Sequence, residues 1–192
     1  MTEEINQPYP QFYNEIDAAT KESGFTMASD VLTCSLLRTL AATKPGGKFL
    51  ELGTGTGLST AWILEGMDQS STLVSIDNEA KFLEIADQFL GADKRLTLVE
   101  TDGAAWVEAN INEKYDYIFA DTWHGKYLLL DEVLDMLNPG GLYIIDDMLP
   151  QPNWPEGHDQ KAINLVKYLD SRADLFLTKQ VWATGIIVGV KR

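Results

Sequence analysis

The chain has 192 residues, 45% of them hydrophobic and 23% charged, the composition of a globular domain long enough to bury a core. Fifteen basic against 29 acidic residues leave a formal charge of −14, which repels a phosphate backbone, so nucleic acid is not an expected partner. No run of 18 apolar residues exists, and "MTEEINQPYPQF" lacks the basic and apolar regions of a signal peptide, which predicts a cytoplasmic protein without a membrane partner.

Residues 8–43 read as two helices with "SGFTMAS" (23–29) between them. Cys34, the sole cysteine, lies in the second and reads as a buried structural thiol. Five apolar, β-branched runs follow: "KFLELG" (48–53), "STLVSID" (71–77), "LTLVETD" (96–102), "YDYIFAD" (115–121) and "GLYIIDD" (141–147). Their apolarity is continuous rather than alternating, which predicts parallel strands covered on both faces. Helical stretches separate them at 58–66, 79–90, 104–110 and 127–137, with "NPGG" (138–141) stopping the last.

A further helix is expected over 159–171. After it come two β-rich runs joined by a few residues around 183–185, a connection that permits only antiparallel pairing. The expectation is one α/β domain over 1–192, with residues 1–43 a helical lid and 44–192 the core. The core is a Rossmann-like, doubly wound, seven-stranded, mostly parallel sheet with helices on both faces and an antiparallel C-terminal strand beside the fifth.

In such a sheet ligands bind outside the carboxyl ends of the strands. The residues placed there are the turn Gly53–Gly57 and the acidic groups Asp77, Asp102, Asp121, Asp146 and Asp147. One of these could be a helix cap; four strand ends together read as a site. The glycines at 53, 55 and 57 miss the one-three-six spacing of a nicotinamide dinucleotide fingerprint, because the sixth position is Leu58 or Thr60. Asp77, 20 residues beyond Gly57, still stands where a ribose would be held. The small residues of the turn would let backbone amides reach the ligand.

"ELGTGTGLST" (51–60) resembles the first motif of class I S-adenosylmethionine-dependent methyltransferases. The resemblance implies that Glu51, Gly53, Thr54, Gly55, Gly57 and Ser59 hold the methionine part of S-adenosylmethionine. Asp77 and Asn78 would take the ribose, Asp102 and Gly103 the adenine, and Met27 and Ser29 would close over the methionine. Asp121 and Trp123 complete the expected cofactor contacts. A rim of carboxylates would favour the sulfonium cation.

"YDYIFADTWHGKYL" (115–128) and "IIDDML" (144–149) resemble the catechol O-methyltransferase-like (family 3) branch. That likeness implies Mg²⁺ on Asp121, Asp146 and Asp147, gathering substrate oxygens. The family's lysine base falls at His124, and Asp147 replaces its Asn. His124 and Asp121 are thus the catalytic candidates, with an exposed loop histidine as the alternative for His124. Trp123 and Trp154 are candidates to stack on a flat substrate. Tyr9, Phe12 and Tyr13 read either as a further aromatic wall or as the buried face of a helix, and His158 as a helix-opening residue without a chemical role.

The expected activity is methyl transfer to a hydroxyl of a small molecule. Metal-independent transfer to nitrogen, carbon or carboxylate stands as the alternative, as does a module that binds S-adenosylmethionine without turnover. Family members often pair, so a homodimer is compatible with the resemblance.

Overall fold

The computed structural model describes residues 8–151 and 154–192, so the first seven residues of the expected lid lie outside it. The elements are α1 (Tyr13–Ser23), α2 (Val31–Ala41), β1 (Lys48–Leu52), α3 (Leu58–Gly66), β2 (Thr72–Asp77), α4 (Ala80–Leu90) and β3 (Leu96–Glu100). They continue with α5 (Gly103–Ala109), β4 (Tyr115–Ala120), α6 (Leu130–Asp135), β5 (Leu137–Ile145), α7 (His158–Ser171), β6 (Leu175–Gln180) and β7 (Ile186–Lys191). The strands form one seven-stranded sheet in the order β3-β2-β1-β4-β5-β7-β6. Pairing is parallel from β3 through β5, and β7 runs antiparallel to β5 and β6 on either side. The sheet and its reversed strand are those expected from the sequence.

The central strands alternate between two cores. Tyr117 and Phe119 of β4 and Leu142 and Ile144 of β5 enter one cluster with α1, α2 and α3. Ile118 and Ala120, with Tyr143 and Ile145, enter the other with α5, α6 and α7. Side chains of successive strand residues point to opposite faces, so burial on both sides demands the continuous apolar runs seen in the sequence. Residues Leu58 through Leu64 of α3 are all buried, because that helix is enclosed by the sheet and α2.

Two local expectations are corrected. The helix expected over 127–137 shrinks to α6, because residues 123–128 close a turn in which Tyr127 and Leu128 both donate to the Trp123 carbonyl at 2.8 and 2.9 Å. Leu129 then enters α6 at a left-handed φ of 54°. "NPGG" lies within β5 rather than ending a helix. Leu137 pairs with Tyr115 and Leu142 with Tyr117, so the residues between bulge from the ladder.

The carboxyl end of β1 is pinned by Glu51, which is wholly buried. Its carboxylate accepts from Ser59 Oγ at 2.6 Å, Thr60 Oγ1 at 2.6 Å and Ser75 Oγ at 2.5 Å, tying β1 to α3 and β2. Burial nevertheless dominates and pushes its pKa up to about 7 from an ordinary 4.5. The folded state therefore holds this proton after the unfolded chain has lost it, and stability falls as pH rises from about 4.5 to about 7. Glu51→Gln removes the ionisation. Between pH 5 and pH 8 wild type is expected to lose on the order of 2 kcal/mol more unfolding free energy than the variant, as read by urea denaturation.

Candidate functional site

The strand order reverses between β1 and β4, and a cleft of about 600 Å³ opens at the carboxyl ends of the strands there. That volume suits a small-molecule site. Its floor is the turn after β1, residues 53–56 of which line it. Gly53 has a φ of 106°, and a Cβ on it would stand 2.6 Å from Thr122 Cγ2. Gly57, at φ 92°, faces Ala86 and Leu90 of α4, each 3.0 Å from such a Cβ. The glycines therefore make room for the protein's own packing.

Four amides of the turn are engaged within the protein as well. Gly53 and Thr54 donate to the Ile76 carbonyl at 2.9 and 3.1 Å, Gly57 to the Thr54 carbonyl at 3.0 Å, and Gly55 to Asp77 Oδ2 at 2.8 Å. Those four donors are turned to the protein itself, against the expectation that the turn's amides reach the ligand. What the turn presents is its surface, with Asp77 and Asn78 beside it on the cleft wall.

Residues 24–29, between α1 and α2, cross the mouth. Phe25 stacks on Phe82 of α4 with centroids 4.5 Å apart and lies against Gly55. Met27 is 67% exposed at the rim, and Ser29 donates to Asp121 Oδ2 at 2.9 Å. Thr20 of α1 shares a buried 2.7 Å hydroxyl bond with Thr56, fastening the segment's base to the turn.

Among the expected cofactor residues, Gly53, Thr54, Gly55, Ser59, Asp77, Asn78, Gly103, Asp121, Trp123, Met27 and Ser29 line the cleft, whereas Glu51, Gly57 and Asp102 do not. Glu51 lies beneath the turn. Asp102 caps α5, accepting from the amides of Ala104 and Ala105, each at 3.0 Å. Cys34 is buried, and burial holds its thiol well above its ordinary pKa. Tyr9 and Tyr13 pack on Trp62, and Phe12 on Phe89, so none of the three forms the aromatic wall that was one of their readings.

The far half of the cleft is aromatic. Trp123, Tyr127, Trp154 and His158 surround one another, with Trp154 and His158 centroids 4.5 Å apart and Tyr127 Oη 3.2 Å from His158 Nε2. His158 thus faces the cleft, although its place at the start of α7 carried no chemical signal in the sequence. Burial, with Lys161 and Lys126 nearby, lowers its pKa. His124 lines the cleft too, away from this cluster, with its ring packed on Gly103 at the start of α5, where a Cβ on Gly103 would come 2.5 Å from His124 Nδ1.

The three carboxylates expected to bind Mg²⁺ are differently engaged. Asp121 accepts from Ser29 and from Lys126 Nζ at 3.3 Å. Asp146 is 1% exposed, does not line the cleft, and takes the Thr184 hydroxyl and the Asp147 amide. Burial, then Asp121, push its pKa up to about 7. Asp147 turns into the cleft at a left-handed φ of 56°. No three His, Cys, Asp or Glu side chains among the described residues are arranged to hold an ion, so the expected donor set does not fit Mg²⁺.

Known proteins agree with this architecture. A Mycobacterium avium (strain 104) protein named "Putative O-methyltransferase" is 28% identical over 138 residues, 67% of this chain and 61% of that protein. The chain thus spans about three fifths of the length of the curated relatives it matches. The fold is shared with an O-methyltransferase from Bacillus cereus solved in complex with SAH, at a TM-score of 0.84 and 17% identity, over 98% of this chain and 94% of that one. It is shared too with TomG from Streptomyces achromogenes, described as involved in tomaymycin synthesis and solved with SAM, at a TM-score of 0.82 and 19% identity, over 97% and 92% of the two chains. A family model described as a methyltransferase domain matches residues 50–148, just over half of the chain, and the protein belongs to that family.

Proposed function

We propose that the protein is an S-adenosylmethionine-dependent O-methyltransferase acting on a hydroxyl of a small molecule, with residues 1–192 working as one catalytic unit. The observation that carries this reading is the continuity of the cleft. Asp77 at one end and the Trp123–Trp154–His158 cluster at the other line a single space beneath the 24–29 segment.

The methyl donor supplies an electrophilic carbon on a sulfonium. The protein's task is then to align an oxygen with the C–S bond and keep water out. Asp77 already accepts from the amides of Gly55 and Glu79, which aims its carboxylate before a ribose arrives. Gly103 supports an adenine, and Met27 and Ser29 close over the methionine. Trp123 and Trp154 support a flat acceptor. His158, whose Nε2 meets the Tyr127 hydroxyl at 3.2 Å, is placed to receive a proton through that hydroxyl, and His124 on the same cleft is the alternative base. The donor set does not fit Mg²⁺, so no step here runs through a metal.

The small volume and the acidic rim favour a small acceptor over a polyanion. Calorimetric titration with S-adenosylhomocysteine is expected to show one site, weakened roughly 10- to 100-fold in Asp77→Asn through loss of charge-assisted bonds to the ribose. No binding by wild type would sink the reading. Methyl transfer from labelled S-adenosylmethionine to a panel of phenols separates an enzyme from a module that only binds. With a responding phenol, Trp154→Ala is expected to raise the acceptor KM about tenfold while leaving S-adenosylhomocysteine affinity within about twofold.

A further inference from the structure

Lys126 is a cation in a place where the family resemblance puts a metal. Its side chain is 6% exposed, and its Nζ stands 3.3 Å from Asp121 Oδ1, itself only 12% exposed. An ammonium so far from water needs a carboxylate beside it, and removing either partner strands the other. Both side chains line the cleft together with Asp147. The ammonium bears on Asp147 as well, opposing the burial and the Asp121 charge that raise that carboxyl's pKa. The second oxygen of Asp121 is taken by Ser29, and Asp146 is turned away onto Thr184. The oxygens of Asp121 and Oδ1 of Asp146 are therefore engaged by Lys126, by hydroxyls and by an amide, which leaves Asp147 as the carboxylate still directed to the cleft.

We propose that the Lys126 ammonium, anchored by Asp121, is the built-in cation of the acceptor half of the cleft, that it binds the acceptor oxygen as an oxyanion, and that methyl transfer here needs no divalent metal. This rests on the methyltransferase reading above. An ammonium has three N–H donors, and one directed at Asp121 leaves two for a ligand. A divalent ion gathers two neighbouring oxygens, whereas this cation needs one charged oxygen. The acceptor class is thus a phenol, without the requirement for a vicinal diol.

In the step itself the phenol gives its proton to the Tyr127 hydroxyl as that hydroxyl passes its own to His158 Nε2, 3.2 Å away. The oxygen lone pair attacks the sulfonium methyl, the C–O bond forms as the C–S bond breaks, and the bonding pair stays on sulfur as a neutral thioether. Lys126 keeps its proton throughout and holds the oxyanion until its charge is cancelled.

The test is a Mn²⁺ titration followed by electron paramagnetic resonance on wild type, Lys126→Met and Lys126→Arg, each also titrated with S-adenosylhomocysteine. Freeing Asp121 and Asp147 of the ammonium is expected to tighten Mn²⁺ binding at least roughly tenfold in Lys126→Met, with Lys126→Arg behaving as wild type. Saturable micromolar Mn²⁺ binding by wild type that disappears in Asp121→Asn overturns the proposal, as do indistinguishable titrations of wild type and Lys126→Met. Should Lys126→Met fail to fold, wild-type turnover of a monophenol decides: unchanged by EDTA it supports the proposal, abolished by EDTA and restored by Mg²⁺ it overturns it. Failure of wild type to bind S-adenosylhomocysteine refutes the underlying reading instead, and is seen separately.

Discussion

A carboxylate buried without a cation is the constraint from which the rest of this molecule is organised. Glu51 ends β1 in the middle of the sheet, where desolvation costs far more than one hydrogen bond returns. Three hydroxyls meet it, two from the first turns of α3 and one from β2, and Ser75 passes the network on to Thr54 at 2.6 Å. Strand end, glycine turn and helix start are thereby locked to one another. Asp77 completes the frame by holding the Gly55 amide at 2.8 Å, so the wall of the cleft is shaped before anything enters it.

Around that frame the protein distributes negative charge by environment rather than by number. Asp146 is sealed behind β5 and β7 and is held close to neutral protonation balance near pH 7. Asp121 faces the cleft but is compensated, and Asp77 is aimed by two backbone amides. Four strand ends that look alike in sequence therefore carry different chemistry.

The sheet was legible because burial on both faces leaves a signal in every residue of a strand, as in "YDYIFAD". Its reversed strand was legible because a short connection around 183–185 admits one pairing. The turn before α6 was not, since "HGKYLL" is compatible with a helix until Trp123, Tyr127 and Leu128 close on one another in three dimensions. The glycines were read as space for a ligand, because their true neighbours Thr122 and α4 are remote in sequence. Lys126 and His158 carried no signal for a similar reason. A lysine two residues past His124 and a histidine opening a helix acquire meaning only when the fold brings them to the same cleft.

The hydroxyl of Ser29 is the link between the two halves. The segment that carries it is stacked through Phe25 on α4, anchored below by Thr20 to the turn, and bonded at its far end to Asp121. A cover fastened at both ends cannot lift over one ligand while leaving the other undisturbed. Ser29 and Lys126 each hold one oxygen of the same carboxylate, so the cover and the acceptor half of the cleft share Asp121 as a common anchor.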